Sequence, residues 1–232
     1  MANKSKRLNR NSDLMKAITA AIGGNELAVE AYPYYSKNPL SKAGFDPSRV
    51  SIQPNRLTAG GHPLSGIYNP PGSTSKTVSP VIRDIYERRG VDPSDQMMVF
   101  SAGGTTPRDE LLSVIAHESG HRGTNVAGSP GGIDYEEAIM RLNDLENPPL
   151  KNQAMKFLSK GAASRWGKDV PPDKAIAGIR TLTKDSRQRA NRGAEEYLRQ
   201  RYPGLYPNEE EREDKPADNP LQNILKFLMG ND

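Results

Sequence analysis

Two of the three histidines in this 232-residue chain lie close together, in the run His117-Glu118-Ser119-Gly120-His121. Residues four apart on an α-helix lie on one face, about 40° apart in projection, so both imidazoles can reach one metal ion. Glu118 points about 100° away from His117, so its carboxylate can hold a metal-bound water instead of the metal itself. The spacing therefore predicts a metal site with a carboxylate beside it.

The flanking residues predict a helix that carries these side chains. Thr106 can cap this helix, Pro107 suits its first position, and Asp109 completes a capping-box-like pattern. Apolar residues at helical spacing form a stripe that leads to Glu118: Leu111, Val114 and Ile115. Because an unpaired carboxylate on an apolar face costs free energy, a metal site beside Glu118 explains its position. The alternative interpretation is two surface histidines on an ordinary helix.

Residues 114–121 resemble the active-site helix of the zincin metallopeptidases, whose motif is H-E-x-x-H. The resemblance implies that His117 and His121 bind Zn²⁺. It also implies that Glu118 is the general base that activates the zinc-bound water. The resemblance extends at most from Gly66 to Asp144.

The third zinc ligand is less clearly marked. A catalytic zinc site needs a third protein ligand and one open position. The long metzincin motif is excluded, because Thr124 and Ala127 stand where its glycine and its third histidine would be. The remaining zincin pattern takes the third ligand from a glutamate on the following helix.

Glu137 is the favoured third ligand, because the run Glu-Ala-Ile at 137–139 resembles the second motif of thermolysin-like enzymes, the gluzincins. Asp134 can instead cap this helix with Glu137 as its partner, which leaves Glu136 to bind the metal. Glu136 is therefore the alternative ligand, and Asp134 itself is a weaker candidate.

The resemblance also suggests supporting residues. Arg141 stands where thermolysin-like enzymes carry an aspartate that orients a histidine, and Asp144, on the same helix face as Glu137, is predicted to substitute for it. Tyr68 is predicted to lie across the cleft and to stabilise an oxyanion. In zincins a strand before the active-site helix lines the substrate cleft, and the strand-like run at 97–100 is predicted to occupy that place.

Composition limits the compartment and the partners. The chain has no cysteine, which excludes disulfides and thiolate metal ligands and is typical of synthesis in the reducing cytoplasm. No apolar run approaches the roughly 20 residues of a membrane-spanning helix. The net charge of +4 is spread over 32 basic and 28 acidic residues, which argues against a nucleic-acid partner because such binding usually needs a concentrated basic patch.

The pattern of elements predicts an α+β protein in four parts. Residues 1–48 are predicted to form an N-terminal arm with a short helix, and residues 49–150 a zincin-like core with a short antiparallel sheet and the active-site helix. Residues 151–205 are predicted to be mainly helical, with one long helix over 173–200. Residues 206–232 read as an acidic linker followed by an amphipathic terminal helix.

Together these features predict a zinc metallopeptidase-type hydrolase that acts on a peptide or a peptidoglycan-type substrate. The alternative is a structural or assembly protein, whose zincin-like scaffold carries arms that bind partner subunits. Small proteins with docking arms around a zincin-like core occur among bacteriophage proteins. The resemblance therefore also suggests a virion component.

Overall fold

A computed structural model of the chain describes residues 26–31, 34, 37–54, 57–59, 62–128, 133–167, 170–203 and 206. The predicted basic arm, the predicted helix near residues 13–22, the acidic linker and the terminal amphipathic helix lie outside the described residues. Within the described ranges, no helix is both long enough and apolar enough to cross a membrane.

Helices and a small sheet make up the described fold, which confirms the predicted α+β class. The helices are α1 (Glu26–Glu30), α2 (Pro39–Ala43), α3 (Pro80–Arg89), α4 (Arg108–Val126), α5 (Ile133–Asp144), α6 (Pro148–Trp166) and α7 (Pro172–Arg201). The strands are β1 (Val50–Gln53), β2 (Leu57–Ala59), β3 (His62–Leu64), β4 (Gly66–Asn69) and β5 (Gln96–Phe100).

The main sheet has three strands in the order β1-β5-β4. Strand β5 runs parallel to β1 and antiparallel to β4. The sheet is therefore mixed, whereas the sequence predicted an antiparallel one. Strands β2 and β3 form a separate antiparallel pair.

Strand β5 is the centre of this sheet and not the wall of a cleft. Met97 and Val99 pack into the core beneath α4, whereas Met98 and Phe100 pack into a second cluster beneath α3. The predicted cleft-lining role of residues 97–100 is therefore wrong, because both edges of β5 are paired and both faces are covered. The edge strand β4 lines the cavity beside α4 instead.

Helix α4 is the central element of the fold, since nearly all its residues from Leu111 to Gly120 are buried. It begins at Arg108, and Pro107 occupies the N-cap position without a side-chain hydrogen bond. The predicted capping box is therefore not formed. The Asp109 carboxylate instead accepts a hydrogen bond from the backbone N–H of Glu110.

Two glycines let neighbouring helices approach α4 closely. A Cβ atom at Gly123 would overlap the carbonyl of Leu40 in α2, and one at Gly120 would overlap the sulfur of Met140 in α5. The α2 contact joins the N-terminal part of the chain to α4. The α5 contact places the following helix directly over the histidines.

The C-terminal helices belong to the same packed structure. Ala190, Ala194 and Leu198 of α7 are buried in the core that also contains Ile115 of α4. Helix α7 matches its predicted range within one residue at each end. Helix α6 lies mostly in the part predicted to be mainly helical, and Pro148 and Pro149 occupy its first turn.

We expect Gly123→Ala to lower the free energy of unfolding by roughly 1–3 kcal/mol, because the new methyl group must push the α2 backbone away from α4. Gly161→Ala in α6 is the matched control, since a Cβ atom there meets nothing within 4 Å. The control should raise the same free energy by roughly 0.5–1 kcal/mol through helix propensity. Urea unfolding of both variants measures the difference, and equal effects would contradict the proposed packing.

Candidate metal centre

Helices α4 and α5 run antiparallel around the contact between Gly120 and Met140. This register sets residues 136 and 137 of α5 opposite His121, and residue 144, about two turns further along, opposite His117. The sequence could not show this register, because it is set by contacts between side chains of two separate helices.

Three donor atoms meet between the two helices. Nε2 of His121 lies 3.1 Å from Nε2 of His117 and 3.1 Å from Oε2 of Glu137. The same Glu137 oxygen lies 3.8 Å from Nε2 of His117. These three residues form a group that can hold a metal ion. The side chain of Asp134, the weaker candidate ligand, lies outside the described part of the structure.

The size of this triangle suits a small divalent ion. The centre of a triangle with edges of 3.1, 3.1 and 3.8 Å lies about 2 Å from each corner, which is the usual distance from zinc to nitrogen and oxygen ligands. Two imidazoles and one carboxylate are also a donor set found in catalytic zinc sites. The residues present therefore fit a zinc ion.

A carboxylate contacts the Nδ1 atom of each imidazole. Nδ1 of His117 lies 2.8 Å from Oδ2 of Asp144, and Nδ1 of His121 lies 2.8 Å from Oε1 of Glu136. Such bonds fix which ring nitrogen carries a proton and which one faces a metal. Asp144 thus contacts His117. Glu136 orients His121, whereas Glu137 supplies the third donor.

The carboxylates raise the basicity of both histidines. Burial lowers the pKa of His117, but the charge of Asp144, the hydrogen bond to Asp144 and the nearby carboxylate of Glu137 outweigh burial and raise that pKa to about 10. Burial also lowers the pKa of His121, but the carboxylates of Glu136 and Glu137 outweigh it and raise that pKa to about 8. Burial raises the pKa of Glu137, but the two nearby imidazoles outweigh it and hold the pKa of this carboxyl far below its usual range.

Glu118 is buried beside the histidines, with 5% of its surface exposed. Burial raises the pKa of its carboxyl group, although the neighbouring imidazoles act in the opposite direction. Gly66 on β4 makes room for this group, because a Cβ atom there would lie 2.5 Å from Oε1 of Glu118. The strand therefore packs directly over the carboxylate.

A cavity of about 530 Å³ opens beside the three donor atoms. Glu118 and both histidines line it together with residues of β4 and α5. The strand side is mainly apolar, whereas the α5 side is charged. The residues on these two sides are Leu64, Gly66, Ile67, Tyr68, Pro70, Glu136, Glu137 and Arg141. The volume of the cavity lies within the range of small-ligand sites, roughly 300–1,000 Å³.

Tyr68 lines the same cavity, but its hydroxyl group is already bonded. It donates to Oδ1 of Asp95 at 3.0 Å, and Arg122 donates to both oxygens of that carboxylate at 2.9 Å. Burial, followed by the charge of Asp95, raises the pKa of Tyr68, so the phenol stays protonated. The oxyanion role of Tyr68 stays a prediction.

Sequence reasoning missed three contributors to the site. Arg141 bonds Glu137, and their spacing of four residues on one helix is a signal that was present in the sequence. Gly66, Asp95 and Arg122 left no such signal. Gly66 of β4 meets Glu118 of α4 only through the tertiary fold, and in the same way Asp95 meets Arg122 of α4 and Tyr68 of β4.

Comparison of the chain with known protein families, with characterised proteins and with solved structures finds no match. The chemistry of the site can therefore be inferred only from the geometry of the site itself. The resemblance to zincins is limited to the motif on α4 and the group of His117, His121 and Glu137.

We expect the metal-free protein to lose stability as the pH rises above about 6.5, where unfolded histidines release their protons. The folded protein keeps these protons up to a pKa of about 8 for His121 and about 10 for His117. Each proton retained only by the folded state lowers the free energy of unfolding by about 1.4 kcal/mol per pH unit. Thermal unfolding in EDTA measures this fall, and His117→Asn/His121→Asn should lose most of it. A parent protein whose Tm is constant from neutral pH to about pH 9 would contradict the geometry.

We also expect Glu118→Gln to raise the Tm of the metal-free protein by a few degrees. The substitution keeps the shape of the side chain and removes an ionisable group whose burial disfavours its charged form. Glu195→Gln, at an exposed position of α7, is the matched control and should change the Tm much less. Calorimetry at neutral pH in EDTA makes the comparison. A lower Tm for Glu118→Gln would show that the buried carboxylate stabilises the fold.

Proposed function

We propose that this protein is a zinc-dependent hydrolase that cleaves peptide bonds. The observation that carries the proposal is the convergence of His117, His121 and Glu137 on one point, with the buried carboxylate of Glu118 lining the same cavity. A metal-storage or purely structural site has no need of a fourth, unbonded acidic group at that place.

His117, His121 and Glu137 would hold the zinc ion. When bound, the ion supplies Lewis acidity and lowers the pKa of water towards neutrality. Asp144 and Glu136 keep the two imidazoles oriented with Nε2 towards the cavity. The three-ligand set leaves one coordination position for the reaction, as catalytic zinc sites require.

Glu118 is the group that moves protons in this proposal. Its carboxylate would take a proton from the attacking water and then pass it to the nitrogen of the leaving amine. A general acid–base works best when its pKa lies near the working pH. Burial of Glu118 shifts its pKa upwards from the usual range of a carboxyl group, which is the direction needed.

An extended peptide is the substrate that the cavity favours. Strand β4 is an edge strand of the sheet and contributes Gly66, Ile67 and Tyr68 to the cavity wall. Backbone groups on an edge strand can pair with an added strand, which is a common way of binding peptides. A peptidoglycan cross-link is a peptide as well, and remains a narrower form of the same proposal.

The assembly role predicted from the arms has no specific support from the described fold. The arms that suggested it are residues 1–48 and 206–232, of which the structure describes only residues 26–31, 34, 37–48 and 206. The bacteriophage and virion associations likewise stay predictions.

We expect purified protein to bind about one zinc ion per chain, because three protein donors define one site. His117→Ala should remove most of this zinc, whereas Glu118→Gln should keep it, since Glu118 is not one of the three donors. Elemental analysis after dialysis against trace zinc measures the stoichiometry. Absence of stoichiometric zinc in the parent protein would end the proposal.

We expect zinc-loaded protein to cleave members of a mixed peptide library, with cleavage detected by mass spectrometry. Glu118→Gln should lower the rate by about 10² to 10⁴-fold, the usual contribution of a general acid–base. Since this variant is expected to keep its zinc, it separates loss of catalysis from loss of metal. Cleavage that persists unchanged in Glu118→Gln would exclude the assigned role. Zinc binding without cleavage of peptides or peptidoglycan cross-links would exclude the hydrolase function.

A further inference from the structure

Arg141 joins two of the residues that surround the proposed metal. Its Nε donates to Oε1 of Glu137 at 2.7 Å, and its Nη1 donates to Oδ2 of Asp144 at 3.3 Å. All three residues lie on α5, at positions that helical periodicity brings to one face. One guanidinium group therefore bonds both Glu137, the third metal donor, and Asp144, the carboxylate that contacts Nδ1 of His117.

The contact with Arg141 gives the two oxygens of the Glu137 carboxylate different partners. Oε2 lies 3.1 Å from Nε2 of His121 and belongs to the donor triangle, whereas Oε1 is bonded to Arg141. A carboxylate can bind a metal through one oxygen or through both. The hydrogen bond to Arg141 occupies the second oxygen and favours binding through one.

Through its contact with Asp144, Arg141 also affects the orientation of His117. Oδ2 of Asp144 is bonded to Nδ1 of His117 at 2.8 Å and also accepts from Arg141. Asp144 is almost fully buried, at 2% exposure, so its orientation depends on these two partners. Arg141 thus acts on His117 through the carboxylate between them.

The arginine is itself held in place. Its guanidinium carbon lies 5.6 Å from the centre of the Phe157 ring on α6, and only 21% of its side chain is exposed. A planar guanidinium can form two hydrogen bonds in a fixed plane while stacking on an aromatic ring, whereas the ammonium group of lysine cannot. The geometry therefore uses properties specific to arginine.

We infer that Arg141 is a positioning residue of the metal site, which restricts Glu137 to one-oxygen ligation and so keeps the ion four-coordinate with one position open. This inference rests on the proposed function, because it assumes that His117, His121 and Glu137 bind zinc. It adds that the residue at position 141 decides how the third ligand binds. Outer residues of this kind commonly change metal affinity by about 10- to 100-fold.

The test compares Arg141→Met and Arg141→Lys with the parent protein and with Arg180→Met, which changes an exposed arginine of α7. Competition with a chromogenic chelator measures zinc affinity. The visible spectrum of cobalt-substituted protein measures coordination number, because four-coordinate cobalt absorbs much more strongly than five-coordinate cobalt.

Arg141→Met should weaken zinc binding by about 10- to 100-fold and should weaken the cobalt absorption as Glu137 binds through both oxygens. Arg141→Lys, which keeps the charge and serves if the methionine variant does not fold, should show the same spectral change with a smaller loss of affinity. Arg180→Met should match the parent in both measurements. Variants at 141 that keep the parental affinity and spectrum overturn the inference and leave the proposed function standing. A parent protein that binds no zinc overturns both.

Discussion

The site depends on the close contact between α4 and α5 at Gly120. A Cβ atom at this position would overlap the sulfur of the buried Met140, whose side chain would have to move. Carboxylate side chains are short, so Glu137 and Asp144 can reach the imidazoles only from a helix that lies very near. The glycine inside the histidine motif is thus a packing requirement as well as a local feature of the sequence.

The same contact concentrates charge in a buried region. Four carboxylates, those of Glu118, Glu136, Glu137 and Asp144, surround two imidazoles, and among the described residues Arg141 is the one permanent cation bonded to them. Buried charges of one sign are costly unless opposite charges pair with them. Protons on the histidines supply positive charge in the metal-free protein, and a divalent ion would supply it when bound. Protons and the metal ion therefore compete for the same nitrogen atoms.

A second network fixes the frame around the cavity. Arg122 follows His121 on α4 and forms a bidentate ion pair with Asp95, which lies just before β5. Asp95 in turn holds the hydroxyl group of Tyr68 on β4. Because this network ties α4 to the sheet, the strand that carries Gly66 keeps a constant position over Glu118. The geometry of the candidate site is thereby set by elements distant in sequence.

The sequence alone determined the local chemistry of the site. The four-residue spacing of His117 and His121 puts both rings on one helix face wherever that helix packs, and the acidic run after it supplied the candidate third ligand. The helical periods of α4 and α7 were visible for the same reason, since local spacing survives in any fold. Glu137, Asp144 and Arg141 likewise share a helix face by spacing alone.

Only the tertiary structure decided which partners these groups meet. The choice of Glu137 as donor and of Glu136 as the partner of His121 depends on the rotation and register of α5 against α4. The replacement of β5 by β4 at the cavity depends on strand order, which local patterns do not encode. The room that Gly66 leaves for Glu118 joins residues on two elements far apart in the chain. Such contacts arise from the packing of whole elements, so no short stretch of sequence specifies them.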